Sequence, residues 1–210
     1  MKDIFIIGAG GFGREVYSFL RYAISLGAQY NFKGFLDDRL DALDKFNYPM
    51  GVVGSISDYQ PKENEYCILA IVAPNIKKEM SERMLAKGVR FETFIHPTAM
   101  IGVNINMGQG VVVCPFVSIP CDSVIGDFAT INVGCTVGHD AEVGRYTTLS
   151  CGCDITGNVK LGEGVFFASN IAVVPSAKVG DWARIGINSF VIGKVKGEKN
   201  YLGNPIRPFM

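Results

Sequence analysis

The chain is poor in the residues from which metal centres and proton relays are built. It holds two histidines, His96 and His139, in 210 residues, and one tryptophan, Trp182. It has no Cys-x-x-Cys, and Cys151-Gly152-Cys153 is not a zinc spacing. A zinc enzyme needs about three ligands, usually histidine, so no metal is expected. No apolar run is long enough to cross a bilayer. Lys plus Arg and Asp plus Glu are each 20, the net charge is zero and the pI is near 6.7, so nothing suggests a nucleic-acid partner. Met1-Lys2-Asp3-Ile4 leads directly into a short apolar strand, which is no signal peptide, and the six cysteines are read as reduced thiols of a cytoplasmic protein.

One thing is present without interruption. From Ile95 an apolar residue recurs every six positions: Ile95, Ile101, Met107, Val113, Ile119, Ile125, Ile131, Val137, Val143, Leu149, Ile155, Leu161, Phe167, Val173, Val179, Ile185 and Val191. The residue after it is often glycine, as at Gly138, Gly144 and Gly162, and the residue four on is mostly small or apolar, as at Ala129, Cys135 and Cys153. Strands repeat every two residues and helices every 3.6, so neither explains a period of six. Short flat strands joined by tight corners do, with one large side chain pointing inward per side and stacked coils burying a continuous column. The 102 residues Ile95–Lys196 hold 17 such hexapeptides with no insertion. Any site must therefore use coil surfaces, another domain or another chain. Trp182, Phe166, Phe167 and Phe190 are read as packing or interface residues, Asn132 and Asn170 as corner residues, and Lys194–Lys199 as the last corner.

The first ninety residues follow a different pattern. Asp3–Ile7 reads as a buried strand running into Gly8-Ala9-Gly10-Gly11-Phe12-Gly13 and a helix over Arg14–Leu26. A second strand, Phe32–Leu36, ends in Asp37-Asp38, and the stretch to Ser57 is turn-rich. A third strand, Tyr66–Val72, is ended by Ala73-Pro74-Asn75, and a helix over Lys77–Lys87 stops at Gly88. This is a small Rossmann-like parallel sheet with a glycine-rich first turn. Such a turn lets backbone N–H groups approach a phosphate at a helix N-terminus. Gly8, Gly10, Gly11 and Phe12, with Asp37 or Asp38 toward a ribose or sugar, are the candidate substrate contacts. Asp37 lies farther from the glycines than a dinucleotide site places its acid, and the domain is short, so the expectation is a half-site for one nucleotide. A bare strand-to-helix turn remains the alternative.

His139, in Thr136-Val137-Gly138-His139-Asp140, lies two residues after an inward position, which puts it on the solenoid surface. A neutral imidazole there can take a proton near neutral pH. Asp140 can fix its tautomer. Eighteen residues on, one coil later, Gly157 can offer a backbone N–H to an oxyanion. His96, in Ile95-His96-Pro97, is read as structural at the domain junction.

With these motifs assembled, the chain resembles the bacterial sugar acyltransferases of the sialic-acid O-acetyltransferase and bacillosamine N-acetyltransferase type. The likeness runs the full length, through Gly8–Gly13, Gly34-Phe35-Leu36-Asp37-Asp38, Ile95-His96-Pro97, Gly138-His139-Asp140, Gly157-Asn158-Val159 and Leu202-Gly203-Asn204-Pro205-Ile206-Arg207. It implies a left-handed parallel β-helix of three hexapeptides per coil after the α/β N-terminal domain, with boundaries 1–94, 95–198 and a tail 199–210. It implies a homotrimer with acetyl-CoA between adjacent solenoids, against Thr148, Gly157, Ser169 and Ile187, and a sugar or nucleotide-sugar near the glycine-rich turn. His139 would be the general base, Asp140 its partner and Gly157 the thioester-carbonyl donor. Where the bacillosamine-type enzymes have histidine, this chain has Phe12 and Thr148, so N- and O-transfer both stay open. A non-catalytic trimeric nucleotide-sugar scaffold and a β-helix zinc enzyme are the competing readings.

Overall fold

The computed structural model describes residues 1–209. Its N-terminal part is a parallel sheet of β1 (Lys2–Ile7), β2 (Tyr30–Leu36), β3 (Val52–Gly54) and β4 (Glu65–Leu69), in spatial order β3-β2-β1-β4. The apolar run Ile4, Ile6 and Ile7 is fully buried, as expected of a central parallel strand. Helix α1 (Gly11–Ser25) lays Val16, Tyr17, Leu20 and Ala23 on this sheet at helical spacing. It starts three residues earlier than its side-chain pattern suggests, because the glycines themselves are helical. Helix α2 (Pro74–Ala86) buries Pro74, Lys77, Ser81 and Met84. Pro74 opens this helix instead of merely ending a strand. A first-turn residue needs no N–H, and the preceding strand already stops at Leu69. β3 lies inside the stretch read as turns; three residues at a sheet edge are too short to show a period. Gly88, at φ 81°, ends α2 as expected, with its N–H on the Leu85 carbonyl at 2.8 Å.

The remainder is a parallel β-helix whose two-residue strands form three sheets. Partners lie 18 residues apart, as in Val124 with Glu142 and Thr130 with Thr148, so three hexapeptides make one coil. Inward residues from Val113 to Val191 are at most 3% exposed. The column does not begin at Ile95, which is 40% exposed; no coil lies beneath it. From Asn104 to Asn188 each corner places the residue three after the inward one at positive φ, for example Asp122 at 52°, Asp140 at 58°, Asn158 at 60° and Asn170 at 58°. Asn, Asp and Gly tolerate that conformation best. The glycine after the inward residue has another cause. A Cβ on Gly144 would lie 2.2 Å from the Gly162 carbonyl of the next coil. The last hexapeptide closes early: Val179 pairs with Val195, and the interval there shrinks to 16 residues. Asn200–Leu202 then adds a further rung beside Arg184–Ile185, and Arg207–Phe209 returns antiparallel on it.

The two parts share side-chain clusters. Phe94, Val112 and Cys114 pack with the α1 core, and Phe128 and Tyr146 pack with Phe5, Ile7 and Met84. Lys77 bridges them. It is 1% exposed, and its Nζ donates to Thr130 Oγ1 at 2.8 Å and Thr148 Oγ1 at 2.7 Å. Burial without a carboxylate pulls its pKa down to about 7. Between that value and the unfolded value of about 10.4, the unfolded chain holds a proton that the folded chain has shed, so stability rises with pH. Unfolding followed at pH 7 and pH 9 should show this rise, at most ~1.4 kcal/mol per pH unit, and Lys77→Met should remove it.

Candidate functional site

His139 stands on the corner that joins Thr136–Val137 to Glu142–Val143. The coils are tied along this corner by Asn158 N–H on the His139 carbonyl at 2.9 Å and Ser176 N–H on the Gly157 carbonyl at 3.0 Å. Cys121, His139 and Gly157 therefore succeed one another at 18-residue steps. His139 Nδ1 is 2.8 Å from Asp140 Oδ2, and both side chains are exposed, at 59% and 58%. A carboxylate accepts only, so the facing Nδ1 carries hydrogen, and in the neutral ring Nε2 keeps a lone pair. The ring lies against the backbone of Gly157. A Cβ there would come within 2.5 Å of Nε2. Among the described residues the Gly157 N–H makes no hydrogen bond. The His139–Asp140–Gly157 grouping expected from the sequence is thus brought together.

Two features of this corner were not anticipated. Asp122, one coil below Asp140, accepts from Asn104 Nδ2 at 2.8 Å. Hydrogen bonds from Asn104 and Cys121 hold its carboxyl below the usual range. In return Asp122 pushes the Cys121 thiol up. A cleft of about 460 Å³ opens beside the corner, lined by Asp122, Asp140, Glu142, Asn158, Lys160 and Lys178 among others. The 18-residue step applied to Asp140 would have pointed to Asp122.

Other candidates fare differently. Thr148 is fully buried, donating to the Val72 carbonyl at 2.8 Å and accepting from Lys77, so α2 covers it and no cofactor reaches it within the chain. Ser169 is half-buried and Ile187 is 55% exposed. They stack above Cys151 through Asn170 N–H on Cys151 O at 2.9 Å and Asn188 N–H on Ser169 O at 3.0 Å. That is a different edge of the coil from the one carrying His139.

At the glycine-rich turn, Gly8 is at φ 100° with its N–H spent on the Leu36 carbonyl at 2.8 Å, so that N–H is not free for a phosphate. Gly13 permits the turn itself, since its Cβ would lie 1.9 Å from the Gly8 carbonyl. Gly10 and Gly11 face open space. Phe12 packs half-buried on the α1 core. Asp37 clamps the turn from within, accepting Ala9 N–H at 2.8 Å and Arg39 N–H at 2.9 Å. Asp38 accepts Ser57 N–H at 3.1 Å. Both carboxylates thus serve the protein's own loops. His96 is structural, as read: it is 4% exposed, accepts Thr98 N–H at 3.2 Å and stacks on Tyr22 at 5.3 Å, and burial lowers its pKa.

A Rossmann-like sheet leading into a hexapeptide β-helix is also the fold of the solved structures on which this chain superposes. Residues 3–84 match the family model described as the PglD N-terminal domain. A GDP-perosamine N-acetyltransferase of Escherichia coli O157:H7 is 32% identical over 137 residues, 64% of this chain and 61% of that one. The chain thus matches about three-fifths of the length of that curated relative. WeeI from Acinetobacter baumannii AYE superposes with a TM-score of 0.88 at 23% identity, covering 100% of both chains. The acetyltransferase domain of PglB from Neisseria gonorrhoeae FA1090, in complex with acetyl coenzyme A, gives 0.87 at 24% identity over 99% of both. PerB from Caulobacter crescentus, in complex with CoA and GDP-perosamine, gives 0.86 at 24% over 100% of this chain and 98% of that one. These structures share the fold, and the β-helix is the left-handed one.

Two substitutions test the corner by itself. Gly157→Ala should displace the imidazole while the exposed corner stays folded. Asp140→Asn should weaken the preference for hydrogen on Nδ1. With two histidines in the chain, 15N NMR resolves both rings, and unchanged His139 shifts in both variants would sink this geometry.

Proposed function

We propose that the protein is an acetyl-CoA-dependent acetyltransferase that acylates an amino or hydroxyl group of a sugar, nucleotide-linked, for surface-glycan synthesis. The observation that carries this reading is the exposed imidazole of His139, its Nδ1 tied to Asp140 and its Nε2 lying against Gly157. The names of the relatives, a GDP-perosamine N-acetyltransferase and structures holding acetyl-CoA, CoA or GDP-perosamine, supply the substrate classes.

In the reaction, His139 Nε2 takes the proton of the acceptor N–H or O–H as the acceptor atom attacks the thioester carbon. The free Gly157 N–H meets the oxyanion. The C–S bond then breaks, and the imidazolium returns its proton to the departing thiolate. Direct attack fits because no cysteine or serine stands beside His139 in the chain as an evident nucleophile. The division of labour follows the expected boundaries: residues 1–94 hold the sugar nucleotide at Gly10 and Gly11, 95–198 hold the donor, and 199–210 close the solenoid. Ser169 and Ile187 share an edge that His139 lacks, which suits a homotrimer with acetyl-CoA between the His139 corner of one chain and the Ser169–Ile187 edge of the next. The setting is the cytoplasm; no helix among the described residues is long and apolar enough to cross a membrane.

The test is mass spectrometry of UDP-, dTDP- and GDP-linked amino and hydroxyl sugars after incubation with acetyl-CoA. A gain of one acetyl group is expected, with His139→Asn lowering kcat by about 10²–10⁴-fold at unchanged CoA affinity. Acetylation by the variant at the wild-type rate would remove His139 as the base. Tight binding of nucleotide-sugar without any CoA binding would mark a non-catalytic scaffold.

A further inference from the structure

The carboxyl ends of β1, β2 and β4 meet at one edge of the N-terminal sheet, where Ala70 N–H closes on the Ile7 carbonyl at 2.9 Å and Gly8 N–H on the Leu36 carbonyl. A parallel sheet leaves its ligand crevice outside such ends. Residues 70–73 join β4 to α2 and form one wall of it. A Cβ on Gly8 would lie 3.0 Å from the Ala70 carbonyl oxygen and 3.7 Å from Ile71 Cγ1, so this segment runs beside the glycine turn whose Gly10 and Gly11 face open space. Among the described residues, the N–H groups of Ile71, Val72 and Ala73 donate to no backbone carbonyl. They are donors left for water or for a ligand. What holds the segment comes from the solenoid. Thr148 Oγ1 donates to the Val72 carbonyl at 2.8 Å. A hydroxyl that spends its hydrogen there still accepts, and Lys77 Nζ donates to it at 2.7 Å. Lys77 lies one helical turn after Ala73, with its N–H on the Ala73 carbonyl at 2.8 Å. One threonine thus pins residues 72–77 at both ends. Thr130 Oγ1, the other partner of Nζ at 2.8 Å, makes no hydrogen bond to residues 70–73. A methionine would fill the Lys77 position without burying an amine, so packing alone does not call for a lysine there.

We propose that Lys77 is a positioning residue for the sugar acceptor. Its amine orients the Thr148 hydroxyl onto the Val72 carbonyl. That bond aims the free N–H groups of residues 71–73 at polar atoms of an acceptor lying beside the glycine turn. The lysine itself touches neither substrate. This assignment rests on the nucleotide-sugar reading above and adds to it a second wall of the acceptor crevice, set from the solenoid through α2. Donor binding on the solenoid corners does not pass through this segment.

Calorimetry of the full chain with UDP-, dTDP- and GDP-linked amino sugars, and separately with coenzyme A, compares the wild type with T148V, T148S, K77M and T130V. Amide hydrogen exchange of residues 70–76 is followed without ligand. T148V and K77M should each bind the nucleotide-sugar about tenfold more weakly, as one lost hydrogen bond would cause, with coenzyme A affinity held within about twofold. In the steady state the acceptor KM should rise by that factor while kcat and the acetyl-CoA KM stay unchanged. Exchange over residues 70–76 should quicken in the same two variants. T148S keeps the hydroxyl and should match the wild type. So should T130V, which removes a partner of Lys77 but leaves the bond to Val72. A merely structural junction predicts a loss in T130V equal to that in T148V, or acceptor and donor weakened together, and either result overturns the proposal. Wild-type acceptor affinity in T148V overturns it as well, and leaves the nucleotide-sugar reading standing. If the wild type binds coenzyme A but no nucleotide-sugar, the nucleotide-linked acceptor reading itself fails, and the proposal falls with it.

Discussion

A coil of this solenoid buries its inward side chain only when another coil lies one strand spacing above it. Everything outside the column inherits that constraint. Because the coils stack at 18-residue steps, each outward residue has a fixed neighbour above and below: Cys121, His139 and Gly157 on one edge, Cys151, Ser169 and Ile187 on another, Glu142, Lys160 and Lys178 on a face. An exposed site on such a scaffold needs no loop to position it. The order of the chemistry comes from backbone ladders between coils, and the apolar column supplies the cohesion that keeps them in step.

The N-terminal sheet is not an independent attachment. Aromatic residues of the solenoid, Phe128 and Tyr146, complete its second cluster, and Lys77 reaches from α2 to two threonines of the solenoid sheet. A buried amine with only neutral acceptors is a costly bond at low pH and a good one when uncharged. The junction is therefore sensitive to proton concentration.

What could be read from the residues follows this division. The inward column, the exposed His139 and the placing of Gly157 above it all come from one period, so they were legible. The missed features arise where the period does not reach. Thr148 occupies a regular outward position, and nothing in the repeat says that α2 will cover it. Asp37 follows a strand as a ligand-binding acid would, yet its carboxylate is spent on Ala9 N–H, a contact set by how the glycine turn folds back. Ile95 keeps the register but has no coil below it, and Val195 arrives early because the solenoid is closing. Ends and contacts between domains are properties of the assembled chain, and a local pattern carries little of either.

Gly157 gives the His139 corner an unusual kind of order. Most ordered side chains are held by walls of neighbours, which also bar large molecules. Here the imidazole is located by a vacancy the size of one methyl group and by a single carboxylate, with more than half of its surface left open. Such a group can be aimed without being enclosed. A large molecule can reach it from solvent with no lid to open and no cavity to reshape.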